Sequence, residues 1–229
     1  EGAEEAQKKW AKLPAIERAA YVRKVAAEIR KKREYLAQTI SREEGKVLRE
    51  ALGEVDGSAE YADYMAEWAR RIEGEIVESD RPNENIFLYR EPIGVVAGIT
   101  PWNYPLFVFM RKFAPALVAG DTVVIKPSSE TPDITYEMAK IISDVGIPKG
   151  VVSILFGSGG VVGNALVANR KVGFISFTGS VETGQEIMKL ASSNVTKVSL
   201  ELGGKAPVIV MDDADLEKTV NYVIASRTL

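Results

Sequence analysis

The sequence predicts an α/β protein in which a helical N-terminal segment precedes a doubly wound, mostly parallel sheet. Three observations predict it. Over residues 1–85, apolar residues recur at helical spacing with Lys and Arg between them. From residue 93 onward, short continuous apolar runs alternate with amphipathic stretches of roughly 10–15 residues, the texture of strands and helices wound into one sheet. Turn residues bound those runs, as expected of parallel strands buried on both faces. The chain has 229 residues, 46% of them hydrophobic, which suits one large domain with appendages and excludes disorder.

In the helical segment, Val22, Val25, Ala26, Ile29, Leu36 and Ile40 keep helical spacing. Tyr61, Tyr64, Met65, Trp68 and Ile72 form a second apolar stripe, expected to pack into the core. Arg81-Pro82-Asn83 breaks the pattern, and residues 86–92 read as a short strand or ribbon. Residues 93–99 are the first buried strand. A helix over 105–118 ends at Gly120, a C-cap candidate. Residues 122–126 are a strand. Ile134, Met138, Ile141, Ile142 and Val145 then mark a helix closed by Gly146. Strands follow over 151–156 and 172–177, with helices over 161–168 and 181–191. Residues 197–202 and 207–211 read as strands, and Asp212 or Asp213 caps a last helix carrying Leu216, Val220, Val223 and Ile224. Residues 93–229 thus form a Rossmann-like, doubly wound, mostly parallel sheet.

Composition narrows the chemistry. The chain has no cysteine and no histidine. Disulfides, Cys or His metal sites, a cysteine nucleophile and a histidine base are therefore excluded within it, and no metal is expected. With 29 Lys+Arg against 32 Asp+Glu, a nucleic-acid partner is not expected. No apolar run reaches the ~18–20 residues of a membrane span, and no signal peptide is visible, so a cytoplasmic location is expected. Asn194-Val195-Thr196 fits a glycosylation sequon, a tripeptide common by chance. The chain begins at Glu1 rather than Met, which implies an initial segment removed or absent.

Ligands of such sheets bind at the carboxyl ends of the strands, beside helix N-termini. After the first strand comes Thr100-Pro101-Trp102-Asn103-Tyr104-Pro105, where Asn103 either caps a helix or presents its amide to a developing oxyanion. After the second, Lys126 either lies on the surface or holds a phosphate or ribose hydroxyl. After the third, Gly157-Ser158-Gly159-Gly160-Val161-Val162-Gly163 is one residue too long for the dinucleotide fingerprint. After the fourth, Thr178-Gly179-Ser180 opens a helix, as a plain cap or as a pyrophosphate site. After the fifth, Glu201 is either a half-buried general base or a salt-bridge partner of Lys205. All five fall at the same predicted edge.

These residues resemble a family. Pro101-Trp102-Asn103, Val124-Ile125-Lys126-Pro127, Phe177-Thr178-Gly179-Ser180 and Leu200-Glu201-Leu202-Gly203-Gly204-Lys205 look like the aldehyde dehydrogenase superfamily in order and spacing. The resemblance runs over the whole chain, including Glu91-Pro92-Ile93-Gly94-Val95 and Asp212-Asp213-Ala214-Asp215-Leu216. It implies that residues 93–229 are the cofactor-binding domain. Lys126 would hold the adenosine ribose, Gly159 and Gly163 would flank the adenine, and Gly179 and Ser180 would bind pyrophosphate. Thr100, Trp102 and Leu202 would complete the cofactor site, with Asn103 as oxyanion donor and Glu201 as the base that activates water against a thioester. Tyr104, Val108 and Arg111 would share a helix face lining the substrate tunnel. Residues 61–71, Gly74-Glu75-Ile76 and Ser79-Asp80-Arg81-Pro82 resemble the lactaldehyde, glycolaldehyde and archaeal glyceraldehyde dehydrogenases, which oxidise short 2-hydroxyaldehydes. Another aldehyde such as succinate semialdehyde, or a stand-alone nucleotide-binding module, are the competing readings; Asn103 and Glu201 argue against the latter, since nucleotide binding needs neither. The resemblance also implies a homodimer or homotetramer.

Two departures from the family pattern matter. Ser129 stands where many NAD-preferring members carry a glutamate that binds the ribose 2′-hydroxyl. Serine removes the repulsion of a 2′-phosphate, and Lys126 supplies positive charge, so NADP is expected, with NAD possible. The family's catalytic cysteine is expected a few residues past Leu229, which makes the chain look like a fragment, inactive by itself.

Overall fold

The computed structural model describes residues 1–227. The chain opens with helices α1 (Gly2–Trp10), α2 (Ala15–Lys31), α3 (Arg33–Glu44) and α4 (Leu48–Glu67), the last ending in a 3₁₀ turn over Trp68–Arg70. Val22, Val25, Ala26, Ile29, Leu36 and Ile40 are fully buried. The aromatic stripe departs from expectation. Helix α4 turns Ala51, Val55, Ala59, Ala62 and Ala66 into the core, facing α2 and, across the sheet's covering layer, α5 (Pro105–Ala119). Alanines let helices approach closely, so the small-residue face wins the interior. Tyr61 and Met65 pack at its margin, while Tyr64, Trp68 and Ile72 stay exposed.

A two-stranded antiparallel ribbon follows: β1 (Glu75–Glu78) pairs with β2 (Asn85–Leu88), Glu75 opposite Leu88. Strand β1 lies inside the stretch expected to be helical. Every residue of both strands is exposed, so β1 buries no face whose periodicity could reveal it.

The main sheet is parallel throughout: β3 (Val95–Ile99), β4 (Thr122–Lys126), β5 (Val152–Ile154), β6 (Phe174–Gly179) and β7 (Lys197–Leu202) lie in the order β5-β4-β3-β6-β7. Pleating sorts the side chains. Val96, Val123 and Ile125 join the core beneath α5 and α6 (Pro132–Asp144). Val95, Ala97, Ile99, Val124, Ile175 and Phe177 face the opposite layer, where Leu166 and Val167 of α7 (Asn164–Val167) and Ile187 and Ala191 of α8 (Val181–Ser192) pack. Strands β3 and β4 are buried along their whole length, which is why they read as unbroken apolar runs.

Helix α5 is closed by Gly120 at φ +102°, a left-handed position that costs glycine nothing. Gly98 serves packing instead: a β-carbon there would come within 3.1 Å of the Lys112 Cβ, so glycine lets α5 lie close on β3.

Two expectations at the end of the chain are corrected. Residues 207–211 form no strand, and Val208, Ile209, Val210 and Met211 are exposed. An apolar run becomes a strand only where a neighbour satisfies its backbone, and among the described residues none pairs with it. The last helix, α9 (Leu216–Arg227), is capped by Asp215 rather than Asp212 or Asp213, its carboxylate accepting from the Lys218 N–H at 3.2 Å. No helix among the described residues is long and apolar enough to cross a membrane, and no group of three or more acidic residues there could hold a metal.

Candidate functional site

The strand order reverses between β3 and β6: β4 and β5 extend one way from β3, β6 and β7 the other. Loops leaving adjacent strands at such a point turn to opposite faces and open a crevice. Here it has a volume of about 660 Å³. The β3–α5 loop lends it Thr100, Trp102 and Asn103, and the β4–α6 loop Lys126 and Ser129. Gly159 and Gly163 come from a π-helical turn over Gly159–Gly163, Gly179 and Ser180 from the end of β6, and Glu201 and Leu202 from the end of β7. Every catalytic and cofactor candidate read from the sequence meets there. Tyr104, Val108 and Arg111 do not line it. Val108 is buried in α5, Tyr104 lies under the Lys46 ammonium, and Arg111 is exposed beside a separate hollow of about 220 Å³.

Of the helix N-termini at this end of the sheet, those of α5 and α6 are plugged. Glu54 of α4 accepts from the Leu106 and Phe107 N–H groups of α5 at 2.9 and 3.1 Å. Glu43 of α3 accepts from the Asp133 and Ile134 N–H groups of α6 at 2.5 and 2.9 Å. Among the described residues, helix α8 is held only by its own first turn, the Ser180 hydroxyl accepting from the Thr183 N–H at 3.2 Å. This end favours negative charge: the exposed Glu182 carboxyl is held below its ordinary value by its own backbone N–H and by Ser180. An anion therefore finds free donors at α8 and not at α5 or α6.

Other polar groups in the crevice fit a dinucleotide. The Thr100 hydroxyl is buried there without a partner, a donor that a ligand would satisfy. Lys126 is 6% exposed and donates to the Pro127 carbonyl at 2.8 Å, and burial pulls its pKa down. The Ser129 hydroxyl donates to the Gly157 carbonyl at 3.3 Å.

Glu201 departs from expectation. It is exposed rather than half-buried, and no ion pair with Lys205 is formed among the described residues. The physical reason is its strand: β7 is the edge of the sheet, and the chain from residue 203 runs on without packing over it.

Sequence reasoning missed Lys112. This α5 lysine is 6% exposed, and its ammonium donates to the Thr178 hydroxyl at 2.8 Å. Thr178 is the register partner of Glu201. Burial, then the nearby Arg111 charge, push Lys112 down to about 8, and Glu201 acts in the other direction. The available signal was weak: Lys112 stands in a largely apolar helix, beside Arg111 and between Met110 and Phe113, where one of two adjacent charges has to turn inward.

An open parallel sheet with a glycine-lined crevice and a free helix N-terminus at its switch point defines a dinucleotide-binding architecture. The chain belongs to the aldehyde dehydrogenase family, whose model matches residues 1–229. It is 52% identical to lactaldehyde dehydrogenase of Escherichia coli (strain K12), covering 100% of this chain and 48% of that protein. It is 41% identical to D-glyceraldehyde dehydrogenase (NADP(+)) of Picrophilus torridus, covering 100% of this chain and 46% of that protein. A solved structure of lactaldehyde dehydrogenase matches with a TM-score of 0.97 at 53% identity, over 99% of this chain and 47% of that one. The chain thus spans about half the length of the curated relatives it matches.

Proposed function

We propose that this chain is the cofactor-binding part of an NAD(P)-dependent aldehyde dehydrogenase that oxidises a small 2-hydroxyaldehyde (lactaldehyde, glycolaldehyde or glyceraldehyde) to its carboxylate. The observation that carries the reading is the convergence of Asn103 and Glu201 with Thr100, Lys126, Gly179 and Ser180 in one crevice. A bound dinucleotide would supply the hydride acceptor for the aldehyde carbon. The chain's own residues supply the rest. Lys126 and Ser129 hold the ribose, the open end of α8 takes the pyrophosphate, and Thr100 and Trp102 border the nicotinamide. The Asn103 amide donates to the oxyanion that forms as a nucleophile adds to the aldehyde. Glu201 accepts the proton of the water that releases the acid, and its exposure leaves it within reach of that water. The family's nucleophile is a cysteine thiolate. These 229 residues contain none, so by themselves they are expected to be inactive.

NADP is the proposed cofactor. Ser129 presents no carboxylate to a 2′-phosphate, and a relative named for NADP(+) shares 41% of its residues with this chain. Of Tyr104, Val108 and Arg111, only the exposed Arg111 is proposed to face the substrate, where it suits a small polar aldehyde. A homodimer or homotetramer is part of the same reading, supported by the exposed apolar residues of the ribbon, Ile76 at 78% and Phe87 at 53%. The test is steady-state kinetics of the full-length protein with lactaldehyde, glycolaldehyde and glyceraldehyde, each with NADP and with NAD. Asn103→Ala should lower kcat by roughly 10²–10³. A kcat/KM at least roughly tenfold higher with NAD would overturn the NADP assignment, and full activity in Asn103→Ala would overturn the role of Asn103.

A further inference from the structure

Directly behind Asn103 lies a buried ionic cluster that faces no ligand. Helix α3 is capped by Gly45 in the left-handed region (φ +80°), and the Ser41 hydroxyl donates to the Lys46 carbonyl, which fixes the backbone just past the turn. The Lys46 ammonium donates to the main-chain carbonyl of Asn103 at 2.7 Å and to Glu54 Oε2 at 2.6 Å. It is 3.2 Å from Glu44 Oε1 and lies 3.8 Å from the centre of the Tyr104 ring. The other oxygen of Glu54 accepts from the Leu106 and Phe107 N–H groups. The side chains of Glu44, Lys46 and Glu54 are 6%, 8% and 0% exposed.

One charged pair therefore grips both ends of the short segment that carries Asn103: its carbonyl through Lys46, and the first N–H groups of α5 through Glu54. Pro101 and Pro105 stiffen the flanks, but Trp102 and Asn103 are exposed, and among the described residues Asn103 makes no hydrogen bond other than that to Lys46. The cluster is a poor device for stability. It buries two carboxylates against one ammonium, and Glu44 Oε2 has no partner. Buried ion pairs return little net stability after desolvation, whereas directional bonds to a charge fix geometry well.

We propose that Lys46 and Glu54 are positioning residues that aim the Asn103 amide at the oxyanion site before the aldehyde arrives. The inference rests on the reading of Asn103 as oxyanion donor. Preorganised donors stabilise a transition state because they need no reorganisation at the moment of reaction, and a misplacement of about 1 Å can cost about 10²-fold in rate.

The experiment compares Lys46→Met, Lys46→Met/Glu54→Gln, Asn103→Ala and Lys46→Met/Asn103→Ala in the full-length protein, reading kcat, aldehyde KM and the dinucleotide Kd. The Glu54→Gln partner removes one of the two negative charges that Lys46→Met strands, the more deeply buried one, while its amide oxygen still caps α5. Lys46→Met and Lys46→Met/Glu54→Gln should both lower kcat by roughly ten- to a hundredfold, with the dinucleotide Kd unchanged. In the Asn103→Ala background, Lys46→Met should cost nothing further, because its effect passes through that amide. Parental kcat in Lys46→Met/Glu54→Gln beside an impaired Asn103→Ala overturns this proposal alone. Parental kcat in Asn103→Ala overturns the oxyanion reading beneath it. Loss of dinucleotide binding in both Lys46 variants, or an equal loss of kcat in both backgrounds, shows a general structural role and also overturns it.

Discussion

At Ser129, a hydroxyl rather than a carboxylate faces the place proposed for the ribose, so charge at this position should decide between the two dinucleotides. Ser129→Glu should lower kcat/KM for NADP by at least roughly tenfold and leave NAD less affected, as initial-rate kinetics would show. Lys112 makes a different prediction. Its ammonium is pushed down to about 8 from the ordinary 10.5. Between those values the unfolded chain binds more protons than the folded one, so stability should rise as the pH climbs through that window. Below it, the buried charge costs stability. Denaturant unfolding of the parent and of Lys112→Met at about pH 7 and about pH 10 should show this rise in the parent and its loss in the variant. That Asn103 and Glu201 lie at strand ends beside one crevice was legible in the sequence, because turn-forming prolines and glycines stand next to them. Lys112 and Lys46 were not, because their meaning lies in Thr178 and Asn103, which only the tertiary fold brings to them.

Among the elements, the use of helix N-termini sets the electrostatics of the site. Carboxylates from α3 and α4 plug α6 and α5, and α8 is left free. Glu43→Ala should uncap α6 and cost about 1–2 kcal/mol, read as a lower urea midpoint at unchanged slope. Glu43 is half-buried, and desolvation holds its carboxyl above the ordinary value in spite of the two N–H donors. Strands β3 and β4 could be read because burial on both faces leaves unbroken apolar runs. Strand β1 could not, since it buries nothing, and residues 207–211 misled because an apolar run without a partner stays irregular. The aromatic stripe of α4 misled for a related reason: aromatic bulk marks hydrophobicity, but helix approach selected the alanine face.

At the scale of the whole molecule, exposed apolar side chains among the described residues gather on the β1–β2 ribbon, at residues 208–211 and along α9. Patches of this kind mark surfaces that bury themselves against something else. The 229-residue chain alone is expected to self-associate, and sedimentation at increasing concentration would reveal it; a soluble monomer at all concentrations would contradict the expectation. The alternating architecture was legible from periodicity, but the strand order was not, because pairing across the sheet is non-local. That order also fixes a sequence of events. Val96 pairs with Val123, made soon after it, and with Phe174, made much later. As the polypeptide leaves the ribosome, the wall carrying Lys126 and Ser129 is complete while the wall carrying Gly179, Ser180 and Glu201 has still to be synthesised. The crevice is thus the last part of the sheet to come into being, and whatever binds across it is a clasp between an early half and a late one.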